Sequence, residues 1–385
     1  SRGLGDVYKR QTSKINPKNV EGVIGEIGGV TSHSAIIARA LGIPCILGVK
    51  DAASIIKSGD ELVADAVKGE IIISPSADEK AEYSLLKEQE QNERLMLKEY
   101  INKPTVTKSG LKKAVYANIA KAEDVHGAVV NGAEGIGLFR TEFLYMDRNQ
   151  APGEDEQFEA YSSVAKAMGG REVIIRTLDV GGDKHIPYLE IEKEENPFMG
   201  LRAIRYCLKN TELFKVQLRA LLRAACYGNI KIMLPLVCTE DEVIKAKSLL
   251  EECKAELSAE GKEYKKDIKL GIMVETPAAV LVAERLAAVS DFFSIGTNDL
   301  TGYTMAADRG NNEVSYLYNS NDPAVLKAIE ITVKSAKRAN IPVGMCGEAA
   351  ADPKMIPRLI DWGLDEFSVS SSRILKTRKL ICDCE

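Results

Sequence analysis

A chain of 385 residues with 45% hydrophobic and 28% charged side chains has the composition of a soluble globular protein, with room for two or three domains. Its net charge of -5 argues against nucleic acid as the main partner, and no apolar run approaches the ~20 residues of a membrane span or forms a signal-peptide core. The eight cysteines are scattered without a CxxC pair, which fits a reducing cytoplasm better than a disulfide framework or a zinc site.

Residues 1–11, SRGLGDVYKRQ, carry neither helix nor strand periodicity and are expected to be a non-native scar, so that the chain is a fragment. Residues 12–76 read as a small α/β unit, in which VEGVIGEI, CILGV, ELVADAV and EIIISP are short strands separated by Gly and Asp turns. Between the first two lies GGVTSHSAIIARALGIP. Ile36, Ile37, Ala40 and Leu41 recur at helical spacing, Thr31 or Ser32 is a natural N-cap, and Gly42 and Pro44 stop the helix. His33 therefore falls in a first helical turn. Free N–H groups and the helix dipole there oppose protonation of an imidazole whose ordinary pKa is about 6.5, and they favour an incoming phosphoryl group. Local physics leaves two readings open, a nucleophile or a histidine that decorates a helix start.

Residues 77–110 change character. ADEKAEYSLLKEQEQNERLMLKEYINK is highly charged with a leucine minority, and it predicts an exposed helical linker ended by Pro104. From 111 to 385 the chain alternates. Eight β-like runs (AVYANI, GIGLFR, VIIRTLD, IKIMLPLV, LGIMVE, FFSIG, IPVGMC and EFSVS) are separated by helical patterns, which matches a (β/α)8 TIM barrel in number and length. A doubly wound open sheet is the alternative, and no GxGxxG fingerprint favours it.

The polar residues of this region gather at the C-terminal ends of the strands. Arg140 and Glu142 close the second run, Arg176 and Asp179 the third with Lys184 just beyond, and Glu275 the fifth. Asn298 and Asp299 follow the sixth, Arg309 comes soon after, and Cys346 and Glu348 close the seventh. In a barrel these ends open on one face, where active sites lie. Arginines there clamp phosphate or carboxylate bidentately, and the carboxylates Glu275 and Asp299 suit a Mg2+ that keeps waters and bridges to phosphate oxygens. The plainer reading of those carboxylates is pairing with the arginines. Cys346 is either a thiol that loses or donates a proton or a buried structural cysteine.

GGVTSHSAIIARALGIP, GAEGIGLFRTEFLYMDR, RTLDVGGDK, EENPFMGLRAIR, GIMVETPAAV, FFSIGTNDLTGYTMAADRGN and GMCGEAA together resemble enzyme I of the bacterial sugar phosphotransferase system, the phosphoenolpyruvate-protein phosphotransferases, over about residues 20–372. The resemblance implies a partial phosphohistidine (swivelling) domain followed by a phosphoenolpyruvate-binding barrel. It implies that His33 takes the phosphoryl group and passes it to the carrier HPr, releasing pyruvate. Arg140, Arg176, Arg309, Asn298 and Asp299 would hold the substrate, with Arg202 and Lys184 as further contacts. Glu275 and Asp299 would hold Mg2+, and Cys346 would protonate the enolate at C3. It also implies homodimerisation through the barrel, and the family's upstream HPr-docking domain has no counterpart in these residues. The C-terminus is expected to be short, ending soon after the eighth strand. Val30 stands where the family commonly has a basic residue or Gln. The rival readings are a pyruvate phosphate dikinase or phosphoenolpyruvate synthase relative, and a non-catalytic phosphoenolpyruvate sensor.

Overall fold

The computed structural model describes residues 20–26, 38, 43–146, 148–182, 184, 186–189 and 191–385, with Asn312 described by its backbone alone. His33 and its helix, and residues 1–11, lie outside the described residues. The chain divides into two compact units at Met96/Leu97.

In the first unit, β1 (Val23–Gly25) pairs in parallel with β2 (Cys45–Leu47), and β3 (Leu62–Asp65) pairs antiparallel with β4 (Glu70–Ile73). Asp65 accepts from the Val67 and Lys68 N–H groups to close the hairpin turn, the usual work of an Asp in that position. A helix at Ala77–Leu97 follows, with Asp78 and Glu79 in its first turn and Arg94 in its last, complementing the helix dipole. Its exposed Leu85, Leu86 and Leu95 are the apolar minority seen in the sequence.

The second unit is a closed barrel of eight parallel strands: β5 (Ala114–Ile119), β6 (Ile136–Arg140), β7 (Glu172–Arg176), β8 (Asn229–Leu234), β9 (Lys269–Val274), β10 (Phe293–Ile295), β11 (Val343–Met345) and β12 (Glu366–Ser370). Every strand pairs with its neighbours in sequence, and β12 pairs with β5 to close the ring. Helices between strands have ordinary stops and starts. Thr239 caps Glu240–Ala259 with Glu242 as its capping-box partner, and Asp322 caps Pro323–Arg338, accepting from Ala324 N–H at 2.9 Å. The helix Ile374–Asp383 follows β12.

The strands separate two cores. Outward residues such as Val115, Phe139, Ile175 and Ile232 pack against the helices, while Leu138, Ile174, Met233, Met273, Phe292 and Cys346 form a small inner core. Because strand side chains alternate, the residue two places beyond an inward apolar one also faces the interior. Leu138 thus leads to Arg140, Ile174 to Arg176, and Met273 to Glu275. Alternation alone delivers polar side chains to the C-terminal mouth.

Candidate active site

The mouth holds a buried network of opposite charges. Arg176, at the end of β7, reaches Glu142 at 2.7 Å and Asp179 at 3.1 Å. Lys184 reaches the same two carboxylates at 2.9 and 2.5 Å. Arg202 contacts Asp179 at 3.3 Å and Asp299 at 2.8 Å, and its Nη1 donates to the Tyr303 hydroxyl at 3.3 Å. Phe198 stacks near the same guanidinium, with its ring centroid 5.5 Å away. Burial works to raise the Glu142 carboxyl, but Arg176 and Lys184 win and hold it at about 2. Asp179 is likewise held well below the carboxylate range by Lys184, Arg176 and Arg202 against the effect of burial. Glu142 Oε2 and Arg176 Nε have no hydrogen-bond partner among the described residues, so the network keeps spare bonding capacity.

Glu275 behaves oppositely. It is buried, and its Oε1 accepts the Leu236 N–H at 2.7 Å. Burial first, then the charges of Asp299 and Asp179, push its carboxyl up to about 8, although Arg176 and Arg202 pull against them. Leu236 makes its bond from a left-handed backbone, φ 56°, which a branched residue adopts only when its surroundings impose it. Thr276 and Pro277 then turn the chain sharply into a helix, with Thr276 Oγ1 accepting from Ala279 N–H at 3.1 Å.

The family described as "PEP-utilising enzyme, PEP-binding domain" matches residues 95–385, and "PEP-utilising enzyme, mobile domain" matches residues 6–69. The chain belongs to the PEP-utilising enzymes. Its relatives include proteins named phosphoenolpyruvate-protein phosphotransferase from Listeria innocua (47% identical), Bacillus subtilis (48%) and Staphylococcus carnosus (48%), each covering 98% of this chain and 66% of the relative. The chain thus spans just under two thirds of the length of these curated relatives.

In this PEP-utilising chain the expected site residues divide into groups. Arg176, Lys184, Arg202, Asp299 and Glu275 come together in the network above. Arg140 is half-buried beside Arg176 in the sheet register, and its charge helps hold Glu142 down. Asn298 joins two loops, its carbonyl accepting from the Tyr318 hydroxyl at 2.8 Å and its Oδ1 from Glu348 N–H at 3.5 Å. Arg309 is exposed, and its charge acts on Tyr318, whose hydroxyl burial pushes up. Cys346 is buried in the inner core, and burial pushes its thiol up to about 11. It therefore retains its proton at neutral pH, as a donor must.

Among the described residues, no group of three or more His, Cys, Asp or Glu side chains is arranged to hold a metal. The pair Glu275 and Asp299 nevertheless suits a hard dication that keeps its waters. Their mutual repulsion is what a cation would relieve, and an ideal Cβ on Gly296 would stand 2.7 Å from Glu275 Oε2, so glycine there leaves that oxygen accessible.

Sequence reasoning noted Glu142 and Asp179 at strand ends without giving them work, and they turn out to be the anchors of the three cations. Tyr303 was missed, although it lies four residues from Asp299 on one helix, Thr297–Met305, and so shares its face. Leu236 left no signal, since nothing in PLV announces a left-handed leucine.

Proposed function

We propose that this chain transfers the phosphoryl group of phosphoenolpyruvate to His33 and from there to a histidine of the carrier HPr, releasing pyruvate as the first step of the sugar phosphotransferase system. The observation that carries the reading is the convergence of Arg176, Lys184 and Arg202 with Glu275 and Asp299 at one barrel mouth. Charge balance supports it. Arg176, Lys184 and Arg202 hold Glu142 and Asp179 ionised, while Glu275, pushed up to about 8, keeps its proton at neutral pH. A dication held by Glu275 and Asp299 would turn the balance of the mouth positive. Arg140 and Arg309 add to it, which suits a substrate carrying a carboxylate and a phosphate.

Glu275 and Asp299 would hold Mg2+, which when bound would offset charge on the phosphoryl and enolate oxygens. Arg176 and Arg202 orient the phosphate, and the unpartnered Arg176 Nε gives it a donor without breaking an existing bond. Arg140, Arg309 and Asn298 complete the substrate's grip. Transfer of the phosphoryl group to His33 breaks its bond to the enol oxygen and leaves the enolate of pyruvate, and Cys346, protonated below the mouth, delivers the proton to C3. The helix Ala77–Leu97 is the linker that lets the histidine unit visit the mouth and leave it for HPr. A cytoplasmic homodimer paired through its barrels fits this role. Among the described residues, no helix is long and apolar enough to cross a membrane. The dikinase and sensor readings draw no support from the relatives named above.

Incubation with phosphoenolpyruvate labelled on phosphorus, with Mg2+, is the test. Acid-labile, base-stable label on His33, absent from His33→Ala, is expected. Tight substrate binding with no label would overturn the reading in favour of a sensor.

A further inference from the structure

A polar side chain inside the barrel has no part in the steps above. Val115, Ala117 and Ile119 of β5 pack outward against the helices, so alternation turns Asn118 inward. Its register partner on β6 is Leu138, a member of the small inner core that also contains Cys346. An amide in such surroundings costs stability unless it is hydrogen-bonded, and Asn118 is bonded at both ends. Its Oδ1 accepts from the Ser368 hydroxyl at 2.7 Å, and its Nδ2 donates to the Ser368 carbonyl at 3.2 Å and to the Cys346 carbonyl at 3.0 Å. Carbonyls can only accept, which settles that the Nδ2 end of the amide faces them.

The bond to Cys346 spans an unusual distance in the ring. There β11 is followed by β12 and then β5, so Asn118 stands two strands away from the cysteine it holds. Backbone pairing between β11 and β12 ends at Met345 and Phe367, one residue before Cys346. Beyond that point the Asn118 amide takes the place of a ladder partner. On the other side, Cys346 N–H donates to the Ile295 carbonyl of β10 at 3.1 Å. The backbone of Cys346 is thus pinned from two directions, its N–H by β10 and its C=O by β5. The next residue leaves no slack either. An ideal Cβ on Gly347 would overlap Thr297 Oγ1, so the chain there lies directly against the helix start that carries Asn298 and Asp299. With the backbone fixed, the Cys346 sulfur has only χ1 left to vary.

We propose that Asn118 is a positioning residue for Cys346: its bond to the Cys346 carbonyl sets the line along which the thiol meets C3, and so confines protonation to one face of the enolate. The inference rests on Cys346 being the proton donor of the function proposed above. In that step the S–H bond breaks, the π electron pair of the enolate takes the proton to form a C–H bond at C3, and a thiolate remains. The thiolate regains a proton from water after pyruvate leaves, and no group is oxidised or reduced. Proton transfer needs donor and acceptor in near contact. A displacement of about 1 Å costs on the order of a hundredfold in rate, enough for water to protonate the enolate first and from either face.

The test reads the face of protonation in the whole chain with Mg2+. Phosphoenolpyruvate carrying deuterium at one of its two C3 positions, turned over in tritiated water, yields pyruvate whose methyl group holds one H, one D and one T and is chiral. Oxidation to acetate as the pyruvate forms preserves that centre for enzymatic analysis, and phosphoryl label on His33 measures transfer in the same reaction. Asn118→Leu removes the amide at nearly constant volume. Asn118→Ser shortens the side chain out of reach of the Cys346 carbonyl while leaving a polar group beside Ser368. Wild-type protein is expected to give one methyl configuration in at least about tenfold excess, and in both variants that excess is expected to vanish while label on His33 stays within severalfold of wild type. A variant that keeps the wild-type excess overturns the inference whether or not transfer has slowed, since a packing defect lowers the yield without changing the face. The excess is read from whatever product forms, so a slow variant decides the matter as well as a fast one. Wild-type protein that labels His33 but gives equal amounts of the two configurations overturns this inference alone; wild-type protein that leaves His33 unlabelled overturns the functional reading and this inference with it.

Discussion

Arg202 and Arg378 are the two largest fully buried side chains of the barrel unit, and they sit at its opposite ends. Arg378, from the helix after β12, donates to Thr105 Oγ1 at 3.0 Å and to the carbonyls of Tyr100, Ile101 and Gly132 at 2.6, 2.9 and 2.5 Å. Its hydrogen-bond partners are neutral oxygens at the floor, three carbonyls and one hydroxyl, with the Glu134 carboxylate 3.6 Å away. Arg202 instead faces Asp179 and Asp299, carboxylates that other cations can also satisfy. Equal burial therefore means different things. The floor arginine closes a hydrogen-bond account that the fold cannot leave open, whereas the mouth arginine holds partners that can be exchanged when an anion arrives.

Substitutions separate the two roles. Arg202→Met is expected to lower kcat/KM by at least a thousandfold, roughly 4 kcal/mol of transition-state stabilisation, while the unfolding midpoint moves little, because Asp179 keeps Arg176 and Lys184. Denaturant unfolding of Arg378→Met should show the reverse, a loss of about 3 kcal/mol or more from stranded carbonyls, and any activity that survives in the folded fraction should be near normal. If Arg202→Met unfolds the chain as readily as Arg378→Met, the contrast fails.

Cys346→Ala should slow pyruvate formation about a hundredfold, the usual worth of a positioned general acid, with binding of phosphoenolpyruvate retained. Glu275→Gln sharpens the comparison through pH. A carboxyl raised from 4.5 to about 8 takes up a proton on folding between those values, so the wild-type fold loses stability as pH rises across that window. The variant lacks that loss. Without metal it should melt a few degrees above wild type at pH 8.5 and level with it near pH 4.5, while activity and the stabilising effect of added Mg2+ both disappear. The smallest effect is expected from Tyr303→Phe, which removes the hydrogen bond accepted from Arg202 and the one donated to the Phe198 carbonyl, about 1–2 kcal/mol, and should raise KM severalfold.

Much of this was legible in advance because a strand announces itself twice, by its apolar run and by its period of two. VIIRTLD contains both the buried Ile174 and the Arg176 that alternation places above it, so barrel and mouth could be read from one segment. The pairing among mouth residues could not. Arg202 lies in a long loop with no period to aim it, and its bond to Asp299 joins positions 97 apart. Cys346 was left between two readings because a sequence does not show burial, and burial is what holds its proton. Leu236 was invisible, since its backbone is forced by tertiary packing and its own type argues against it.

Asn118 also donates to the Ser368 carbonyl, stitching the first barrel strand to the last across 250 positions of chain. On a ribosome adding about 5–20 residues per second, β5 waits roughly 10–50 s for its partner to emerge. Throughout that interval its outer edge carries unpaired amide groups. Nascent-chain protection by a holding factor, or a pause in elongation, would matter more for this strand than for any other in the ring.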